Sequence, residues 1–489
     1  MESPTLLEEI SSFCRQVGMA ESTFGRLAIN DGKLMSRLRT GGRVTSETAA
    51  RVRAYISTNP SLTRRRAPPA PAPHPYAPKP NGLSSHAPVT NAAAAPRTVS
   101  RPAPAEPRGD TGEGVDKNFR FYDNRQKYLL FVNTCSEKFM VADRVAQELP
   151  NLHPSPPAVR VFDAGVGDGT VLTSVMRSMH HRFPTIPFHI VGKEISLEDV
   201  RLALEKMPDR FCEHPATVLV MTNMNYAEAP WLTPESVTAA SSMVWHEVAL
   251  TGDTSHDFER QIAELQPFLS ENWRAQVSQH SGNPVYEKPV VLVIYREDRK
   301  FMLDQVRPRR GTTSADFDLV IASQPYRARA SVDFKAKRVI APLARALGPG
   351  GRLIGIHSHG NDPAMEIVRK IWPNENPFTT DRHQLLRAVK TELGKDARGI
   401  NFNAYADARA LFRYEMHTLP HEISESIGSS PLLAAWNAAI YVAQIEDHRL
   451  AEVMTTERYL DATREVLQAH GGLWFWDETF VISRRQELR

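Results

Sequence analysis

Cysteine is nearly absent: Cys14, Cys135 and Cys212 are the three in 489 residues, too few and too widely spaced for a disulfide framework or a paired-cysteine zinc site. No stretch of 18 apolar residues occurs, so a membrane-spanning helix is not expected, and the opening MESPTLLEEI lacks the basic start and apolar centre of a signal peptide. The expectation is a cytoplasmic protein with no metal site and no membrane partner. An excess of either charge is missing too, since 59 Lys and Arg face 56 Asp and Glu for a formal +3. With 41% hydrophobic residues the chain has material for at least one large core, and its length suggests two or three domains. Nothing in the sequence sets an oligomeric state.

Proline, by contrast, is abundant and local. Thirteen of the 36 prolines lie between Pro60 and Pro107, in a stretch with almost no large aliphatic side chains. Such a segment buries too little apolar surface to offset its ordering entropy, and residues 58–115 read as a flexible linker. An ordered proline-rich ligand for a partner module is the alternative. Charge divides at the same place. Residues 1–57 hold eight Lys and Arg against six Asp and Glu, and residues 58–110 hold seven against two, so the first 110 residues carry +7 and the remainder about −4. Affinity for polyanions is therefore expected in the N-terminal part.

Residues 1–57 read as a small all-α domain of four short helices: LLEEISSFCRQV, AESTFGRLAI, KLMSRLR and, after a Thr45/Ser46 cap, TSETAARVRAYI. Asn30-Asp31-Gly32 and Gly41-Gly42 mark the turns. This order resembles the repressor-type helix-turn-helix family over about 50 residues. The resemblance implies DNA binding, with the helix around Lys33 to Arg39 in the major groove. Lys33, Arg37, Arg39 and Arg43 would meet phosphates, Ser36 and Arg37 would reach base edges, and Leu27, Leu34, Leu38 and Val44 would form the core. A helical bundle for dimerisation or protein docking is the other reading.

The segment AVRVFDAGVGDGTVLTSVMRSM carries the most chemistry. Val159, Val161 and Phe162 form a short buried strand, the glycines a tight turn, and Thr170 opens a helix whose N-terminus faces a ligand. The pattern D-x-G-x-G-x-G, with Asp163 directly after the strand, resembles motif I of class I S-adenosylmethionine-dependent methyltransferases. That resemblance implies a Rossmann-like seven-stranded sheet over residues 116–489 and S-adenosyl-L-methionine as cofactor. Asp163 would hold the cofactor's cationic amine, which suits an acid better than a pyrophosphate would. Gly165, Gly167 and Gly169 would let the backbone approach. Glu194, ending the next strand, would take the ribose hydroxyls, and Asn223 and Asn225, after the third, would lie beside the adenine.

The same resemblance continues through a fourth strand, DFDLVIAS, which ends in Ser323-Gln324-Pro325-Tyr326. Amino-group methyltransferases carry Asn/Asp/Ser-Pro-Pro-Tyr/Phe there, and Gln324 departs from it. By that analogy Ser323 and the Gln324 carbonyl would accept hydrogen bonds from a target amine or amide, and Tyr326 would stack on it. His357 and His359, closing the fifth strand, are candidates at the mouth, with His357 a potential base. The end of the chain reads as a helix and a two-stranded hairpin. Insertions at about 237–314, with an added strand pair in VVLVIYREDRKFML, and at about 362–454, largely helical, would form a lid over the strand ends. Three readings follow: a methyltransferase with an unidentified acceptor, a transcriptional regulator using the domain as a metabolite sensor, or a DNA amino-methyltransferase.

Overall fold

The computed structural model describes residues 6–17, 21, 24, 28–29, 34–39, 44–58, 125–278, 284–311, 314–417 and 429–486. The chain divides into two compact units, Met1–Arg108 and Gly109–Arg489. Among the described residues no helix is long and apolar enough to cross a membrane.

In the first unit, helices α1 (Leu6–Val17), α2 (Leu34–Arg39) and α3 (Ser46–Thr58) surround Ile10, Phe13, Phe24, Leu34, Met35 and Val52. Phe13, Phe24 and Tyr55 meet edge to face with centroids 5.5 to 6.4 Å apart, the arrangement aromatic quadrupoles favour. Thr45 caps α3 by accepting from the Thr48 amide at 3.2 Å. The expected core positions Leu34, Leu38 and Val44 join this cluster, whereas Leu27 lies outside the described residues, as do most residues of the expected second helix and the whole proline-rich stretch.

The second unit is built on one sheet. Strands β1 (Val159–Asp163), β2 (Phe188–Lys193), β3 (Thr217–Thr222), β4 (Val244–Leu250), β7 (Val290–Arg296), β8 (Phe317–Ser323), β9 (Leu347–Ser358), β10 (Ile400–Asn403) and β12 (Trp474–Arg484) run in the order β10-β12-β9-β8-β1-β2-β3-β7-β4. β11 (Leu411–Glu415) also pairs with β12, and β5 (Ala275–Val277) and β6 (Pro284–Tyr286) form a separate hairpin. β3, β2, β1, β8 and β9 are parallel, while β12 runs against β9. β3 and β7 are buried at every position, because the sheet is covered on both faces. Alternate residues of β1 feed different layers: Val159 and Val161 pack with Val171, Leu172 and Val175, and Phe162 packs with Val320, Val339 and Phe480.

The sheet has ten strands, not the seven expected. The first insertion adds β4 and β7 at one edge, and the other edge carries both β10 and β11. VVLVIYREDRKFML holds one strand rather than a pair, since a 3-10 turn at Glu297–Arg299 ends it, and its partner β4 lies 40 residues upstream, parallel to it. The expected terminal hairpin is also a single strand. WFWDETFVISR contains no glycine, proline or asparagine, so β12 runs on for 11 residues, and its antiparallel partners β10 and β11 come from the second insertion. That insertion is therefore part of the sheet as well as the source of helices Pro363–Ile371, Arg382–Leu393 and Ser429–Val442.

From β1 the chain adds β2 and then β3 on one side, and β8 and β9 are added on the other. The crevice between β1 and β8, at their carboxyl ends, is the switch point where open α/β sheets bind ligands.

Candidate functional site

At that switch point β1 passes through the glycine loop into the helix Thr170–Arg182. The Ala164 amide donates to the Ile321 carbonyl of β8, and the Val166 amide to the Lys193 carbonyl of β2, which pins the loop across both neighbours. Gly169 sits at φ +82°, and a Cβ there would lie 2.8 Å from the Ala203 Cα, so only glycine lets this helix start so close to the next one. Gly165 differs. Among the described residues, a Cβ built on it meets nothing within 4 Å.

Two buried carboxyls border the loop. Asp163 is 2% exposed and accepts from the Gly165 amide at 3.2 Å. Burial pushes its carboxyl up to about 7, with Glu194 adding to the push. Glu194 accepts from the amides of Ile195 (2.8 Å) and Ser196 (2.9 Å) through one oxygen and from Gly167 (2.9 Å) through the other. Its pKa is also raised, by burial and then by Asp199. Both acids are thus held where a cation or a set of hydroxyl donors would relieve their desolvation.

Tyr128, Lys138, Asp168 and Lys206 complete the loop's surroundings, and sequence reasoning gave none of them a role. Asp168 takes Lys206 Nζ at 2.5 Å and Thr170 Oγ1 at 2.6 Å, and its amide donates to the Tyr128 hydroxyl at 3.3 Å. Burial works against its charge, but the bonds from Lys206 and Thr170 hold its pKa below the usual range. Lys138 lies 3.2 Å from Glu137, with its ammonium 5.7 Å from the Tyr128 ring centre. The aromatic run before the strand, where Tyr128 lies, was the available signal.

Asn223 is 1% exposed, and its side chain is spent on the backbone: it donates to the Lys288 carbonyl at 3.0 Å and accepts from the Val290 amide at 2.8 Å. It fastens β7 beside β3 instead of facing the crevice. Asn225 organises its own turn, accepting from the amides of Ala227 and Glu228.

Across the crevice, Asp163, the last residue of β1, is in register with Ile321, and β8 runs two residues further to Ser323. Gln324 follows with φ +48°, a left-handed conformation unusual for a side-chain-bearing residue. Its amide donates to Ser358 Oγ (3.1 Å) and to Asp477 Oδ2 (3.3 Å), and its carbonyl oxygen accepts from the Ser358 amide. The backbone carbonyl of Pro325 accepts from the Tyr226 hydroxyl at 2.7 Å, tying the loop after β3 to the end of β8.

Two acceptor-side expectations are corrected. Tyr326 is 7% exposed, packs among Val320, Val339 and Phe480, and has its hydroxyl 2.8 Å from His357 Nδ1, so it is a core side chain and not an open stacking platform. His357 is 5% exposed and bonded at both nitrogens, with Nε2 2.7 Å from Glu478 Oε1, so it is no free base at the mouth. Glu478 also accepts from the Arg382 amide (2.9 Å) and guanidinium (2.8 Å). Burial raises its pKa, but the bonds from His357, His359 and Arg382 hold it far below the carboxylate range. An ionised Glu478 fixes the proton of His357 on Nε2, leaving Nδ1 to accept from Tyr326. His359 is the more open of the two histidines, 3.7 Å from Glu478, which raises its pKa.

Among the described residues no three His, Cys, Asp or Glu side chains are placed to hold a metal ion. Of the expected DNA contacts, Lys33 and Arg43 lie outside the described residues, as do the side chains of Ser36 and Arg37. Arg39 is exposed and bonded to Glu21 at 2.7 Å.

No family model and no curated protein matches the chain. Among solved structures it is similar to a protein assigned as a sarcosine dimethylglycine methyltransferase from Galdieria sulphuraria, at 9% identity and TM-score 0.27, over 72% of this chain and 86% of that one. It is similar also to a geranyl diphosphate methyltransferase solved with GPP and sinefungin, at 12% identity and TM-score 0.24, over 70% of this chain and 77% of that one. A third is PKMT2 from Rickettsia typhi, at 10% and 0.26, over 73% of this chain and 54% of that one. These likenesses are distant.

Proposed function

We propose that this chain is an S-adenosylmethionine-dependent methyltransferase with its cofactor across the glycine loop and its acceptor beside the end of β8. The observation that carries the reading is the glycine loop at the end of β1, with buried Asp163 accepting from the Gly165 amide and buried Glu194 from the Gly167 amide. The residues suit the cofactor's chemistry: a carboxyl for an ammonium, a second for vicinal hydroxyls, and a loop without side chains where the backbone must come close.

When bound, S-adenosylmethionine supplies a methyl group on an electrophilic sulfonium. Transfer is an in-line displacement, so the protein's work is positioning and exclusion of water. Asp163 holds the ammonium and Glu194 the hydroxyls, with Asn223 and Tyr326 serving as supports. On the acceptor side, the hydroxyl of Ser323 and the backbone carbonyl of Gln324 accept hydrogen bonds from an amine or amide nitrogen. The left-handed turn at Gln324, tied down by Ser358 and Asp477, fixes where that carbonyl points.

A methyl-labelled transfer assay over protein, nucleic-acid and small-amine fractions tests the reading. Label enters one fraction with the wild type and is lost with Glu194→Ala. Transfer that survives this change would place the cofactor elsewhere.

A further inference from the structure

A groove of about 640 Å³ lies beside the acceptor end of the sheet, between the start of β12 and the helix Pro363–Ile371. Its floor carries Trp474 and Trp476. Strand alternation puts both indoles on one face, opposite fully buried Phe475 and Asp477. Arg413 of β11 is the direct cross-strand partner of Trp476, and its guanidinium lies 4.7 Å from the Trp474 ring centre. Arg369 and Lys370, at the end of the helix, line the same groove.

The charge balance decides what the groove suits. The two acids that line it are engaged. Glu366 is bonded to His470 at 2.7 Å, and Asp362 accepts from the amides of Met365 (2.9 Å) and Trp476 (3.1 Å), while burial raises its pKa. Lys370 pairs with Glu465 at 2.9 Å, with side chains 31% and 69% exposed, Arg413 pairs with exposed Glu415, and half-buried Arg369 donates to the Glu375 carbonyl at 3.4 Å. Exposed pairs of this kind are weak and exchange readily for a phosphate. Two cations in exchangeable pairs and the guanidinium of Arg369, beside two indoles, combine the two features that hold single strands: basic side chains for phosphates and stacking platforms for bases.

We infer that this groove binds single-stranded nucleic acid, with bases against Trp476 and Trp474 and phosphates against Arg369, Lys370 and Arg413. The bound strand lies close to the end of β8. The His359 amide donates to the Trp476 carbonyl at 2.8 Å, and the next residue, Asp477, bonds Gln324. Binding itself does not depend on the methyl-transfer reading and is measured without cofactor.

The test is fluorescence anisotropy of the full chain with a labelled oligothymidine strand of about 12 nucleotides. Arg369→Ala with Lys370→Ala should weaken binding roughly tenfold and lower the slope of log affinity against log salt by about 1.4, the loss of two phosphate contacts. An abasic strand of equal length should bind roughly tenfold more weakly than oligothymidine, and Trp476→Phe should bind better than Trp476→Ala. Arg369 and Lys370 are half-buried, so the double variant is compared at an unchanged melting temperature, which certifies its fold even if Trp476→Ala proves unstable. Wild-type affinity and salt slope in the double variant would overturn the inference. So would equal binding of the abasic strand, or competition by polyglutamate or thymidine monophosphate at the strand's own concentration.

Discussion

Gly165 and Gly169 stand four positions apart in one loop, yet alanine should act on them in opposite ways. At Gly169 the left-handed φ and the Ala203 backbone 2.8 Å away both oppose a Cβ, so Gly169→Ala should destabilise the fold by about 1–3 kcal/mol in thermal or denaturant unfolding. At Gly165 a Cβ meets nothing within 4 Å among the described residues, so Gly165→Ala should leave the melting temperature unchanged and still weaken cofactor binding. Asp163 adds a pH signature. Its folded pKa, near 7, lies above the usual value of about 3.9, so the proton is bound more tightly in the fold. Its contribution to stability is then fullest below about pH 4 and is lost as pH rises through 7. A cationic ligand needs the ionised form, so affinity should rise across pH 6 to 8 in titrations, and Asp163→Asn should flatten that rise while stabilising the protein on the alkaline side. The placement of these residues was legible in the sequence because it is local, set by one strand, one turn and one helix. Tyr326 and His357 were not, because the group that commits them, Glu478, arrives from 121 residues beyond His357.

Glu478 belongs to β12, and that strand shows how elements far apart in sequence close the sheet. It joins β9 to β10 and β11 and anchors the helix Arg382–Leu393 through Arg382. Glu478→Ala would take one of two carboxylates from a 4%-exposed guanidinium, which keeps Asp407, and would leave a buried histidine without its acceptor, and should cost about 1–3 kcal/mol in denaturant unfolding, with Glu478→Gln costing less. A second element-level prediction concerns the end of the helix Thr170–Arg182. His214 stacks on Phe188 with ring centres 3.6 Å apart, bonds the Ile186 carbonyl through Nε2, and meets His180 Nδ1 at 2.9 Å. Burial pulls its pKa down to about 4. A depressed folded pKa gives stability that is full above about 6.5 and is lost as pH falls through 4, so His214→Phe should reduce the acid sensitivity of unfolding. The parallel core strands were readable as apolar runs. β4 was not, since VWHEVAL is mostly half-buried at the sheet edge and carries His246 and Glu247 among its apolar residues.

Taken whole, the chain joins a basic front of +7 to a body of about −4, and the division into two units falls near the same boundary, at Arg108. The body's charge is not uniform: buried Asp163 and Glu194 lie at the carboxyl ends of β1 and β2, while Arg369, Lys370 and Arg413 line a groove elsewhere on the same unit. The α/β order of the strands and the glycine loop after β1 followed from sequence order, whereas the groove did not, because β11, β12 and the helix that shape it come together only in the folded sheet. The deciding measurement is isothermal titration of S-adenosylmethionine into the full chain and into its Gly165→Ala and Asp163→Ala variants. The predicted result is one-to-one binding by the wild type, with Gly165→Ala melting at the wild-type temperature and both variants binding at least about tenfold more weakly. Absence of binding by the folded wild type, or equal binding by all three proteins, would contradict it.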